Sequence, residues 1–204
     1  MKIVFGTTNK RKLEDLLGIC NELGVDIEVL GLDDIGWNLG DIEENGDTLW
    51  QNSLIKAKVI HNYCIENDIN YPIITADSGL FFDCLYGEPG IYTSRYADEE
   101  RAKDASLPEW QCVFKALDKM KGMENRSATF KAVVTCMMPD GSYFQELGES
   151  KGVIAESVIG EIKKPYFYAV FKVNGYSKVF NELEKQELKD TYRYKALRKV
   201  VSKI

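Results

Sequence analysis

Three short segments gather residues whose types suit phosphate and metal chemistry. The first is Gly6-Thr7-Thr8-Asn9-Lys10-Arg11-Lys12. Small and hydroxyl-bearing residues let a ligand approach the backbone, and the N–H groups at a helix start attract anions. Lys10, Arg11 and Lys12 add charge that neutralises phosphates. Cations are unfavourable at the positive end of a helix dipole, so three in a row invite an anionic partner; a capped helix with a solvated basic first turn is the plainer alternative. The segment is no Walker A loop, because the second glycine and the Gly-Lys-[Ser/Thr] ending are missing. The second segment is Glu43-Glu44-Asn45-Gly46-Asp47-Thr48, followed by Asn52 and Lys56. Asn52 and Lys56 are four apart, on one helical face, and adjacent glutamates could supply oxygen ligands to a hard cation such as Mg²⁺ or simply be solvated. The third runs Thr75-Ala76-Asp77-Ser78-Gly79-Leu80 and on through residues 87–96. There Asp77 reads either as a metal ligand at the end of a buried strand or as the side chain of an Asx-type turn.

These residues need elements to hold them. Residues 2–6 read as a short buried strand and 9–23 as a helix with Leu13, Leu16, Leu17 and Cys20 at helical spacing, stopped by Gly24. A second strand covers 27–30, and 31–46 reads as loop. Asp47 or Thr48 caps a long helix to about residue 67 whose apolar stripe is Leu49, Trp50, Leu54, Ala57, Ile60 and Cys64. Residues 72–75 form a strand and 80–85 another, separated by a tight turn at Ser78–Gly79. A turn at 87–90, an amphipathic helix over 108–120, two strands (128–137 and 142–149) around Pro139-Asp140-Gly141 and a basic helix over 192–204 complete the pattern. His61, the one histidine, falls on the long helix as a surface or packing residue.

The chain has 204 residues and a formal net charge of −6, from 32 acidic and 26 basic side chains. An acidic surface opposes binding to a nucleic-acid polymer, which needs clustered positive charge, yet permits a small phosphorylated ligand in a local basic pocket. Five scattered cysteines with no CxxC pair suggest buried thiols in a reducing compartment. The opening MKIVFGTTNK is too short an apolar stretch for a signal peptide, and no apolar run approaches the about 20 residues that span a bilayer. The expectation is a soluble, cytoplasmic protein with no membrane partner.

In order and spacing, the three segments resemble the inosine triphosphate pyrophosphatase family, the non-canonical purine nucleoside-triphosphate pyrophosphatases. The family's Thr-x-Asn-x-x-Lys loop is matched by Thr7, Asn9 and Lys12. Its Glu-x-x-Gly-x-Thr segment with following Asn and Lys is matched by Glu43, Gly46, Thr48, Asn52 and Lys56. Its Asp-Ser-Gly-Leu block leading to Pro-Gly-x-Tyr-Ser-Ala-Arg-Tyr is matched from Asp77 to Tyr96. The resemblance implies an α/β fold over residues 1–204 as a single domain: a long curved mixed β-sheet flanked by helices, two lobes with an active-site cleft between them. It implies a homodimer and Mg²⁺-dependent hydrolysis of ITP, dITP and XTP to the monophosphate and pyrophosphate. Glu43 and Asp77 would hold the metal, and Asp77 would activate the attacking water. Thr7, Thr8, Asn9, Lys10, Arg11, Lys12, Lys56 and Ser78 would surround the triphosphate, Phe167 would stack on the base, and Lys189 and Arg193 would complete the site.

The chain also departs from that pattern. Ala76 stands where relatives have a first acid before Asp77, and Gln51 where they have Glu. The base-reading Phe-Gly-Tyr-Asp-Pro segment corresponds to Pro165-Tyr166-Phe167-Tyr168-Ala169, with Tyr168 in place of Asp. The late Ser-His-Arg corresponds to Thr191-Tyr192-Arg193. A site that hydrogen-bonds its substrate rejects analogues by about 10⁴ or more, so these changes bear on selectivity. The alternatives are a pyrophosphatase retuned to another modified or canonical nucleotide, or a catalytically weak nucleotide-binding homologue.

Overall fold

The run Ile3-Val4-Phe5 forms a buried strand, β1 (Lys2–Phe5), which turns at Gly6 into helix α1 (Lys10–Glu22). The computed structural model describes residues 1–204 except Ala105 and the side chains of Arg11, Arg101 and Ala102. Strand β2 (Glu28–Leu30) follows, then helix α2 (Leu49–Glu66) and strand β3 (Ile73–Phe82). Next come β4 (Pro89–Gly90), α3 (Asp98–Lys103), α4 (Gln111–Lys119), β5 (Ser127–Met137) and β6 (Tyr143–Ile154). The chain ends with β7 (Phe171–Val173), α5 (Lys185–Leu188) and α6 (Tyr192–Val201).

The seven strands make one mixed sheet in the order β2-β1-β3-β5-β6-β7, with β4 on β3. β1 runs parallel to both β2 and β3, with Val4 opposite Leu30 and Ile73. β4 and β7 pair antiparallel with β3 and β6. The α/β class with a helix-flanked mixed sheet is therefore as expected. By internal packing the chain divides into two compact units: Met1–Ser78 with Ala132–Gly148 and Tyr192–Ile204, and Gly79–Lys131 with Glu149–Thr191.

In the first unit, Val4, Leu32, Ile60, Cys64 and Ile73 form a core on which Trp37, Ile42 and Tyr71 pack. Each aliphatic side chain fully buried there contributes about 2 kcal/mol. In the second unit the core is aromatic: Phe130 meets Phe171 edge-on at 4.9 Å, and Tyr168 stacks on Phe180 at 3.9 Å. None of the five cysteines is disulfide-bonded, and burial pushes the Cys64 and Cys136 thiols up to about 11, which keeps them protonated and inert. His61 packs against the β5–β6 hairpin, Nε2 lying 3.1 Å from the Pro139 carbonyl.

Three local expectations are corrected. Asp77-Ser78-Gly79 is no turn; β3 runs through it unbroken. The glycine is there for close approach, since a Cβ on Gly79 would lie 2.3 Å from the Gly90 carbonyl oxygen of β4. The stripe of α2 is also rotated: Asn52, Ser53 and Tyr63 are buried, while Trp50 is 41% exposed. Polar side chains occupy that inner face because each meets a polar partner on the sheet or the preceding loop. Strand β6 runs to Ile154, beyond the expected end at 149, because its last three residues pair with β7.

Helix α6 sits against β6 with no space to spare. A Cβ on Gly148 would stand 1.9 Å from the Tyr192 carbonyl oxygen and 2.6 Å from the Ala196 nitrogen. Both are backbone atoms, so the helix itself must move. Gly148→Ala is expected to lower unfolding free energy in urea by about 1–3 kcal/mol, the usual range for overpacking.

Candidate active site

Helix α2 is locked to the sheet through hydroxyl groups. Ser53 Oγ lies 2.7 Å from Thr135 Oγ1, and Thr75 Oγ1 donates to the Ser53 carbonyl at 2.7 Å. Gln145 Nε2 donates to both Thr135 Oγ1 and the Trp50 carbonyl at 2.9 Å. Ser53, Thr75 and Thr135 are all fully buried, so this ladder sets the height of α2 over β3. One turn after Ser53 on the helix, and two residues after Thr75 on the strand, the same interface brings Lys56 to Asp77. The Lys56 Nζ–Asp77 Oδ1 distance is 3.4 Å.

The loop before α2 delivers the second carboxylate. Thr48 caps the helix by accepting from the Gln51 N–H at 3.2 Å, and Gln51 Oε1 accepts from the Asp47 N–H at 2.7 Å. Asn52 Oδ1 accepts from the Gly46 N–H at 2.8 Å, and a Cβ at Gly46 would meet that oxygen at 2.8 Å. Thus pinned, the loop points Ile42 into the core and Glu44 at Lys56, 3.2 Å away. Glu43 faces solvent. Of the two glutamates it is Glu44 that meets the lysine.

Lys12 and Arg193 complete the cluster. Thr7 Oγ1 accepts from the Asn9 N–H at 3.1 Å, and the Asn9 carbonyl accepts from the Lys12 and Leu13 N–H groups, starting α1. Arg193 stands in the first turn of α6, which the Tyr194 hydroxyl ties to Asp15 of α1 at 3.2 Å. Burial, then the charges of Arg193 and Lys56, push the Lys12 ammonium down to about 8 against the opposing pull of Glu44 and Asp77. Burial also raises Glu44 above the usual carboxylate range, Lys56 opposing and Asp77 reinforcing. Asp77 Oδ2 is buried without a hydrogen-bond partner, as is Asn52 Nδ2. Three cations and two anions thus share a half-dry region beside a helix start whose first N–H groups have no intrahelical acceptor. Such an arrangement fits a polyphosphate with a hard cation.

Residues 3–203 match the Ham1 family. The chain belongs to that family. It is 34% identical over 203 residues to the dITP/XTP pyrophosphatase of Flavobacterium johnsoniae, covering 98% of this chain and 96% of the relative. It is 31% identical over 200 residues to the Bacillus subtilis protein of the same name, covering 97% and 93%. The structure of the Staphylococcus aureus Ham1 protein superposes with a TM-score of 0.79 at 28% identity, over 99% of this chain and 97% of that one.

Of the residues singled out from the Ham1-like motifs, the first unit brings together Lys12, Lys56, Asp77 and Arg193. Thr7 lies half-buried at the turn, and Thr8, Asn9 and Lys10 are exposed at the start of α1; the Arg11 side chain lies outside the described residues. Ser78 does not join them. Successive strand residues face opposite ways, and Thr75 and Asp77 already take the face under α2. The same alternation puts Ala76 on the far face, away from Lys56. Gln51 keeps an acceptor oxygen and uses it as a cap. Phe167 is only 3% exposed and meets Phe82 edge-on at 6.0 Å, so its ring belongs to the core of the second unit and offers no face for stacking. Lys189, half-buried, ends α5 in that unit. Glu44 was weighed only jointly with Glu43, and Ser53, Thr75 and Thr135 were not anticipated; for those three the one available signal was small polar residues on otherwise apolar elements.

The Lys12 charge is a cost to the folded protein. Its folded pKa of about 8 lies below the ordinary 10.5, so the unfolded chain binds more protons between those values and stability rises with pH across them. The cost is fully present below pH 8. Lys12→Met is expected to raise the thermal midpoint at pH 7 and to abolish binding of inorganic triphosphate. In the unaltered protein that binding weakens as pH climbs past 8; calorimetry and thermal melts check both.

Proposed function

We propose that this chain is a nucleoside-triphosphate pyrophosphatase that hydrolyses non-canonical purine nucleotides (ITP, dITP and XTP) to the monophosphate and pyrophosphate with Mg²⁺. The single observation that carries the reading is the convergence of Lys56 and Lys12 on the Glu44–Asp77 pair, with the Arg193 charge felt at Lys12. Residues 1–204 serve in it as one functional domain, in keeping with a family match that spans 3–203. Homodimeric assembly, implied by the resemblance, and a cytoplasmic setting, expected from the cysteine usage and the lack of a long apolar run, belong to the same reading. Among the described residues no helix is long and apolar enough to cross a membrane.

Mg²⁺ is typically held by one or two carboxylates together with substrate phosphates and water. Glu44 and Asp77 fit that habit: they converge, and Asp77 Oδ2 has no partner of its own. Among the described residues no group of three or more His, Cys, Asp or Glu forms a fuller cage. The ion supplies Lewis-acid stabilisation of the charge that builds on the phosphate oxygens. The protein's own residues do the rest. Thr7, Thr8, Asn9 and the start of α1 receive the phosphates, and Lys12, Lys56 and Arg193 offset their charge. Asp77 takes the proton from water attacking the α-phosphorus, and pyrophosphate leaves.

A second reading, a pyrophosphatase retuned to another modified or canonical nucleotide, is favoured by the base end. Phe167 is buried, and Tyr168 is stacked on Phe180. A panel of ITP, XTP, dITP, canonical and modified pyrimidine triphosphates separates the readings by pyrophosphate release. Release concentrated on ITP, dITP and XTP supports the first, release on other nucleotides the second, and no release the binding-protein alternative.

Asp77→Asn is expected to lower the rate by about 10²–10⁴, the range for losing a general base. The two neighbouring glutamates make a sharper comparison. Glu44→Gln is expected to raise the Mg²⁺ needed for half-maximal rate by about tenfold or more, while Glu43→Gln leaves it nearly unchanged. A larger effect at Glu43 would reassign the ligand.

A further inference from the structure

Lys56 serves two sets of partners that cannot all be satisfied at once. Its ammonium lies 3.2 Å from Glu44 Oε2 and 3.4 Å from Asp77 Oδ1, joining two carboxylates that otherwise repel each other. The Lys56 side chain is only 15% exposed and that of Asp77 13%, so the bridge is poorly screened by solvent. An ammonium sitting between two carboxylates does electrostatically what a divalent cation does there, with half the charge. Asp77 Oδ2, the oxygen the bridge leaves over, is buried and unpartnered.

We propose that Lys56 is a resident stand-in for the metal: without nucleotide its ammonium holds Glu44 and Asp77 in place and competes with the divalent cation, and a polyphosphate relieves the competition by drawing Lys56 away. The proposal rests on the reading that Glu44 and Asp77 are the metal's carboxylates. Its consequence is thermodynamic coupling. A polyphosphate that takes Lys56 raises the affinity for the cation, and by linkage the cation raises the affinity for the polyphosphate by the same factor. The pair of carboxylates is thereby prevented from trapping a cation in an enzyme that holds no substrate. Lys12, which feels the same carboxylates from the side of α1, has no ion pair with either among the described contacts and is the matched control for loss of one nearby positive charge.

The test measures Mn²⁺ binding to nucleotide-free protein by electron paramagnetic resonance of the free ion. Unaltered protein is compared with Lys56→Met, Lys56→Gln, Lys12→Met and the double variant Lys56→Met/Asp77→Asn. Both Lys56 variants are expected to bind Mn²⁺ about tenfold or more tightly than the unaltered protein, Lys12→Met to change affinity by less than about threefold, and the double variant to lose the gain. Unchanged or weaker binding in both Lys56 variants overturns the proposal and makes Lys56 a strut that keeps the carboxylates together. An equal gain in Lys12→Met reduces the effect to general electrostatics and also overturns it, as does a gain that survives Asp77→Asn. The underlying reading fails separately, by the absence of Mg²⁺-dependent pyrophosphate release from unaltered protein across the nucleotide panel.

Discussion

The registry of α2 on the sheet is the constraint from which the site follows. Ser53, Thr75 and Thr135 exchange hydrogen bonds in a region that water does not reach. Each net bond contributes only about 1 kcal/mol, but a slipped helix would leave several buried hydroxyls unpaired at about 1–3 kcal/mol each. That asymmetry is what makes the alignment sharp. An apolar interface would tolerate sliding; a ladder of donors and acceptors does not. With the helix held at one height, Lys56 and Asp77 meet without any further device, and Asn52 and Gln51 on the same helix secure the loop that carries Glu44.

What this scaffold holds is unfavourable by itself. Lys12 stays charged at neutral pH against burial and two neighbouring cations, Glu44 is raised by burial, and a carboxylate oxygen of Asp77 goes unpaired. Groups in such states persist when a surrounding structure over-determines them, and they concentrate at functional sites. The cost is relieved together by one kind of ligand, an anion with an accompanying hard cation. This gives the motif residues a physical meaning: Lys12, Lys56 and Asp77 form an electrostatic arrangement suited to such a ligand.

The base end follows a different logic. Phe167, the aromatic residue that the motif resemblance nominates for stacking, is buried against Phe82, and the half-buried Tyr168 stacks on Phe180, both inside the second unit. Phosphate chemistry asks for charge in the right place and tolerates variation elsewhere; base discrimination asks for particular donors and acceptors.

Much of this was legible in the residues. The α/β alternation, the Thr48-capped helix and the strand-to-helix turn at Gly6 follow from periodicity and capping chemistry, because these depend on neighbours along the chain, and the family resemblance singled out Lys12, Lys56 and Asp77, which the fold brings near one another. The misreadings came where distant segments decide. Gly79 looked like a turn until the Gly90 backbone was seen to need its missing Cβ. Glu43 and Glu44 are equivalent in sequence, and only the pinning of Gly46 by Asn52 turns the second toward Lys56. Ser78 alternates away from Asp77 because β3 continues through it, and Phe167 is buried beside Phe82 in the second unit. By itself the sequence determined which chemical groups are available and on which kinds of element they ride. Tertiary structure alone decided which of them share a face, since the direction of a side chain is set by the pairing of strands and the seating of helices, and those are contacts between residues far apart in the chain.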